Sequence, residues 1–223
     1  DIDSALGLTA ARLSARLIAA DLADLGITVD CLPLADVPVP GADAVIGNRA
    51  YGTEPDKVAA IARAVTDGLE QGGVLPILKH IPGHGRATAD SHFRLPTVDT
   101  TRDELERTDF AAFRPLADLP MAMTAHVVFS ALDPAHPATT SATIIEQVIR
   151  GLIGFQGLLM SDDVSMNALA GSIADRTRAI FAAGCDVALH CNGNIDEMRA
   201  VAGETPELSG AALMRAQAAL ASR

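Results

Sequence analysis

Five apolar runs punctuate the chain, at residues 27–33, 74–79, 121–129, 157–161 and 185–191, and polar residues follow directly on at least four of them. Short, nearly continuous apolar runs of this kind predict strands buried on both faces, as in a parallel sheet. Between the runs the apolar period changes to that of a helix. Leu13, Leu17, Leu22 and Leu25 recur at helical spacing over residues 9–25, with Gly26 as a stop; Val58, Ile61, Val65 and Leu69 do the same between Pro55 and Gly72. Proline suits the first turn of that second helix because its φ is already helical. Thr101 and Glu104 have capping-box spacing and open a short helix toward Phe113. Ile144, Ile145, Val148 and Ile149 share one face of a helix over 141–152, and helices over 172–183 and 207–221 complete the set.

Strands that alternate with helices imply an α/β fold with helices on both sides of the sheet. Because chemistry-bearing residues end several strands rather than one crevice, a barrel rim fits better than an open doubly wound sheet. The expected fold is a (β/α)8 TIM-type barrel in one domain over 1–223, with its first strands missing from this chain, since a full barrel typically takes about 250 residues.

Composition narrows the function. With 17 basic against 28 acidic residues the formal charge is −11, and no Lys/Arg cluster with interleaved aromatics offers a surface to nucleic acid. No apolar run reaches the length of a membrane span, and the first residues lack the regions of a signal peptide. Cys31, Cys185 and Cys191 are odd in number and lie in apolar segments. Buried thiols in a reducing compartment are expected rather than a disulfide framework.

The chemistry gathers after the second strand. Residues 74–92, VLPILKHIPGHGRATADSH, pass from an apolar run into a loop carrying Lys79, His80, His84, Asp90 and His92 among glycines. An aspartate bound to one imidazole nitrogen fixes the tautomer and leaves the other nitrogen to move a proton, so Asp90 with His92 is an acid/base candidate; a turn residue beside a surface histidine is the plainer reading. Asp162 and Asp163 follow the run GLLMS, where a carboxylate serves as nucleophile, base or metal ligand, or caps a helix, the last role suiting Asp163 better. His126 and His190 also fall at strand ends, and His136 lies in a Pro-rich turn. Lys79 and Arg49 offer donors for sugar hydroxyls or carboxylates, or pair with acids at the rim.

Lys79-His80-Ile81-Pro82-Gly83-His84-Gly85, then Asp90-Ser91-His92, then Ser161-Asp162-Asp163 with Val164-Ser165-Met166 together resemble the glycoside hydrolase family 3 β-N-acetylglucosaminidases of the NagZ type. GNRAYGTEP, MTAHVVF and LHCN extend the resemblance over nearly the whole chain. It implies a retaining exo-β-N-acetylglucosaminidase without a cofactor, with Asp162 as nucleophile, His92 steered by Asp90 as acid and base, and Arg49, Lys79 and His80 holding the sugar. It further implies a GlcNAc-containing muropeptide or 1,6-anhydroMurNAc substrate, cytoplasmic peptidoglycan recycling, and no nucleic-acid or membrane partner. The dyad loop is flexible in that family, so His92 is expected to stand away from Asp162 without ligand. The family's Asp-Gln-Glu-Gly-Gly-Arg segment, whose aspartate helps bind the sugar, has no counterpart here. Two other readings share these residues: a phosphorylase of the same family, and a metal-dependent barrel hydrolase using His80, His84, His126 and Asp162.

Overall fold

The computed structural model describes residues 4–222. A helix, α1 (Ser4–Asp24), precedes the first strand, β1 (Val29–Asp30), and α2 (Pro55–Gln71) leads to β2 (Leu75–Pro76) and β3 (Leu78–Ile81). β4 (Thr97–Val98) and α3 (Arg102–Arg107) follow, then β5 (Met121–Thr124) and β6 (Val128–Phe129). A π-helical segment, Ile144–Ile153, leads to β7 (Leu158–Asp163), α4 (Ile173–Ala183), β8 (Val187–Leu189), α5 (Ile195–Glu204) and α6 (Gly210–Ala221).

The main sheet runs β3-β5-β7-β8, every pair parallel. It continues on one side through β1, which pairs in parallel with β2, and through Leu34 beyond β1, which bridges to Lys79. Neighbours in the sheet are therefore neighbours in the chain. That winding is the barrel's; a doubly wound sheet reverses strand order at a switch point. Among the described residues β1 and β8 are edges, so the sheet is an open arc.

Side chains alternate across the arc. Leu75, Ile77, Met121, Met123 and Leu158 pack together on one face, with Val29, Cys31, Met160, Val187 and Leu189 against them and Ala216 and Ala219 of α6 on top. Leu78, Ala122 and Leu159 turn the other way into the larger core beneath the helices, where Phe110, Phe113, Phe129 and Phe155 are fully buried. Asp186 ties the base together: its carboxylate accepts from Arg150, from Arg215 of α6 and from the Leu159 N–H.

α1 reverses one expectation. Leu13 and Leu17 are 51% and 68% exposed, and Leu25 is exposed too; the helix buries Ala15 and Ala19 instead. Small residues let it approach α2 closely. A Cβ built on Gly68 would stand 2.2 Å from the Arg12 carbonyl oxygen, and one on Gly72 would stand 2.3 Å from the Ala19 methyl. Of the four leucines that helical spacing suggested, Leu22 alone packs against the core around Ala15 and Ala19, and close van der Waals fit between small residues replaces the rest of the face.

Elsewhere the elements stand near their expected places. α2 starts at Pro55, and the π-helical segment buries Ile144, Ile145, Val148 and Ile149. The run 121–129 is two strands, because β6 turns aside to pair with β4. α3 begins after Thr101, but no side chain caps it. α5 was unforeseen, although Asn194 accepts from the N–H groups of Asp196 and Glu197 as a cap should.

The packing of α1 sets one expected outcome. Gly68→Ala should cost about 1–3 kcal/mol of stability, as overpacking does, while Leu17→Ala should stay within about 0.5 kcal/mol of wild type. Denaturant unfolding of the two variants decides it, and a larger loss at Leu17 would contradict the arrangement.

Candidate active site

At the carboxyl end of the arc lies a cavity of about 210 Å³ lined by Cys31, Val45, Ile46, Arg49, Lys79, His80, His84, Ser91, His92, Met123, Asp162, Met166, Leu189 and Cys191. Strand geometry explains the convergence. Parallel strands end on one side, so β3, β7 and β8 deliver Lys79–His80, Asp162 and Cys191 to one place, and the loop after β3 folds His84–His92 over them.

Asp162 is the penultimate residue of β7 and is largely withdrawn from water. Its Oδ1 accepts the Asp163 N–H at 2.8 Å. Oδ2 takes no hydrogen bond, yet it is not a buried orphan, so it opens to the cavity. Burial works to raise its pKa, but the field of His80 foremost, helped by the Asp163 N–H, holds the carboxyl below its ordinary value. The acid is thus kept ionised in a place where an unassisted carboxylate would neutralise.

Asp163 is not a helix cap. Its Oδ1 accepts from the N–H of Ser165 and of Cys191, and its Oδ2 from the Ser165 hydroxyl, which stitches the end of β7 to the end of β8. The cap of the next helix is Ser172, in a complete capping box with Asp175. Beneath the same strand end His126 is fully buried: Nε2 lies 3.0 Å from the Asp163 carbonyl and Nδ1 2.8 Å from the Thr139 hydroxyl. A carbonyl only accepts, so Nε2 carries the proton, and burial holds this imidazole below the usual histidine pKa.

On β3 the ladder to β5 slips between Lys79 and Ile81. Irregularities of this kind re-aim side chains at strand ends. His80 points its Nδ1 at Asp36, 2.7 Å away, while its Nε2 opens to the cavity. The Lys79 ammonium has no hydrogen-bond or ion-pair partner among the described residues, and the residue borders the cavity. Arg49 folds its guanidinium back onto the Val45 carbonyl, at 2.9 Å from Nε.

The loop bearing the second candidate is anchored at both ends. Arg86 reaches Asp109 at 2.6 Å and Glu104 at 3.0 Å. Further along, the Asn167 and Ala168 N–H groups donate to the carbonyls of His92 and Ser91. His92 and Asp162 therefore border one cavity, and the loop is docked rather than swung away as expected. Asp90 Oδ1 accepts from both His92 Nδ1 (2.7 Å) and the His92 N–H (2.9 Å), leaving Nε2 unclaimed. Burial pulls the Asp90 carboxyl upward, and these bonds to His92 outweigh it, so the group sits below its ordinary pKa.

Of the expected residues, Arg49, Lys79, His80, His92 and Asp162 line the cavity together, with Asp90 bound directly behind His92. His190 turns outward to Glu197 of α5, and His136 pairs with Asp133 on the surface. His80, His84, His126 and Asp162 do not form a ligand set: among the described residues no group of three or more His, Cys, Asp or Glu is arranged to hold a metal ion. The three thiols are unpaired, and Cys191 is exposed rather than buried. Sequence reasoning missed Asp36, which lies between prolines in LPLADVPVP with no motif to mark it.

Comparison with known proteins shows the family. Residues 2–222 match the glycosyl hydrolase family 3 N terminal domain. A beta-hexosaminidase of Neisseria gonorrhoeae is 42% identical over 197 residues, covering 86% of this chain and 54% of its own length. One of Chromobacterium violaceum is 39% identical over 196 residues, with the same shares of 86% and 54%. The chain thus spans about half the length of the curated relatives it matches. Among solved structures, NagZ from Neisseria gonorrhoeae in complex with N-trifluoroacetyl-D-glucosamine superposes with a TM-score of 0.84 at 37% identity, covering 95% of this chain and 61% of the other. A glycoside hydrolase family 3 beta-N-acetylglucosaminidase from Paenibacillus sp. gives 0.85 at 31% identity, covering 99% and 43%. By the span of that match and the likeness of these relatives, the chain belongs to glycosyl hydrolase family 3.

Proposed function

We propose that this chain carries the catalytic centre of a retaining exo-β-N-acetylglucosaminidase. The observation that carries the reading is the pairing, across one cavity, of an ionised Asp162 with a free Oδ2 and an aspartate-steered imidazole with a free Nε2. Asp162 Oδ2 attacks the anomeric carbon as the glycosidic C–O bond breaks. His92, as imidazolium, gives its Nε2 proton to the leaving oxygen. The product is a glycosyl ester on Asp162 and a neutral His92. Water then loses a proton to Nε2 and attacks the same carbon; the ester bond breaks, the carboxylate returns and His92 is recharged.

A histidine suits the acid's place because neither of its forms, imidazolium or neutral imidazole, repels the ionised carboxylate of Asp162 as a second carboxylate would. Asp90 holds the proton on Nδ1, so the transferable proton is always at Nε2. Arg49 and Lys79 supply donors for the hydroxyls and N-acetyl carbonyl of a terminal sugar, and His80 turns its Nε2 to the same ligand. On the resemblance of its motifs, the substrate is a GlcNAc-terminated muropeptide or 1,6-anhydroMurNAc sugar, and the enzyme works in cytoplasmic cell-wall recycling.

Asp162→Ala should lower release of 4-nitrophenol from its N-acetyl-β-glucosaminide by about 10⁴-fold or more; a rate within a few fold of wild type would refute the nucleophile. His92→Ala should cost about 10²- to 10⁴-fold on a natural disaccharide and far less on the aryl glycoside, whose leaving group departs without a proton. Equal losses on both substrates would remove His92 from the acid's role. For Asp162 the folded pKa lies below the ordinary 3.8, so the unfolded chain binds more protons between the two values. Its stabilisation is fully present above 3.8 and is lost as pH falls through the folded value. Thermal melts should accordingly show a smaller loss of midpoint in this acid range for Asp162→Asn than for wild type, and an equal loss would contradict the shift.

A further inference from the structure

Asp36 is fully buried and no motif marks it, yet its carboxylate holds two histidines of the cavity wall, His80 and His84. The chain beyond β1 brings it there. Leu34 bridges to Lys79, the Ala35 N–H donates to the Lys79 carbonyl at 2.7 Å, and Val37 lies so close to Gly85 that a Cβ there would stand 2.1 Å from the Val37 carbonyl oxygen. Between these fixed points the Asp36 carboxylate makes three bonds. Oδ2 meets His80 Nδ1 at 2.7 Å; Oδ1 accepts the His84 N–H at 2.7 Å and the His80 N–H at 3.3 Å.

We propose that Asp36 is a positioning residue for sugar binding: it locks His80 with its proton on Nδ1, so that Nε2 faces the cavity as the ring's variable atom, and it pins the turn from His80 to His84. The logic is that of donors and acceptors. A carboxylate has no proton to give, so the ring nitrogen facing it must be the N–H. Nε2 is then a hydrogen-bond acceptor in the neutral ring and a donor in the charged one. The cavity is thus bordered by two imidazoles, each backed by an aspartate, in pairs of unlike character. Asp90–His92 sits on an exposed loop, whereas Asp36–His80 is built into the sheet's end with 9% and 0% of the His80 and Asp36 side chains accessible. The first moves protons; the second holds shape.

Asp36→Asn separates these roles. An asparagine fills the same space, its Oδ1 still accepts from both backbone N–H groups, and its amide donates to Nδ1. The His80 proton must then move to Nε2, which inverts the polarity of the one atom that faces the ligand. Histidine ¹⁵N NMR of the intact protein, recorded at a pH where the His80 ring is neutral, reads the tautomer directly. Wild type should show His80 protonated on Nδ1 and Asp36→Asn should show it on Nε2, with kcat/KM for the aryl N-acetylglucosaminide reduced about 10- to 100-fold, chiefly through KM, as loss of an orienting partner behind a ligand-binding histidine does. In a His80→Ala background the same substitution should cost less than about twofold more, because Asp36 acts through that ring.

A wild-type His80 protonated on Nε2 overturns the proposal without any variant being made. So does an unchanged KM despite a switched tautomer, or an undiminished effect when His80 is already absent. The kinetic arm rests on the glycosidase reading, whereas the tautomer arm does not: a wild type that turns over no glycoside would sink that reading and leave the role of Asp36 to be decided by NMR.

Discussion

A carboxylate taken out of water at the end of a strand survives as a charge only if its surroundings replace the lost hydration. Around Asp162 they do so with the His80 ring and the Asp163 N–H. A further layer of residues fixes those groups in place. His80 is held by Asp36, the Asp163 carbonyl by His126, and the Asp163 carboxylate by the N–H groups of Ser165 and Cys191. Few of these partners touch the cavity, yet each fixes one that does.

The arc makes this possible with little chain. In parallel strands laid down in sequence order, each ends beside its predecessor, so residues as distant in sequence as Cys31 and Cys191 border one space. Close backbone contacts then set the geometry. Gly85 against Val37 presses the loop onto the chain beyond β1, and Gly157 sits within 2.6 Å of the Leu119 carbonyl by the same measure, at the start of β7. A side chain at Gly85 would push the loop off the strand end that carries Lys79 and His80, and one at Gly157 would displace β7 at its opposite end.

How much of this was legible depends on whether the determining interaction was local. Strand positions and most helices could be read because apolar period and caps are written in neighbouring residues. The cavity's cast was legible for a related reason: Lys79, His80, Asp90, His92 and Asp162 stand in compact motifs at strand ends. α1 misled because its leucines follow helical spacing while its contact with α2 depends on Ala15, Ala19, Gly68 and Gly72, where smallness rather than hydrophobicity decides. Asp36 was invisible because its meaning lies in a partner 44 residues away. His190 and His126 show the converse, since a histidine at a strand end points outward or down as readily as into the site. α5 had a readable start in Asn194 that was passed over.

The central claim is that Asp162 becomes covalently bound to the sugar. A 2-deoxy-2-fluoro or 5-fluoro glycoside with a good leaving group slows the second step more than the first, so the intermediate accumulates and can be located by peptide mass spectrometry. The account predicts one added glycosyl group on the peptide containing Ser161-Asp162-Asp163, placed on Asp162 by fragmentation and absent from Asp162→Ala. A label on any other side chain, or turnover with no covalent species under conditions that slow its breakdown, would contradict it.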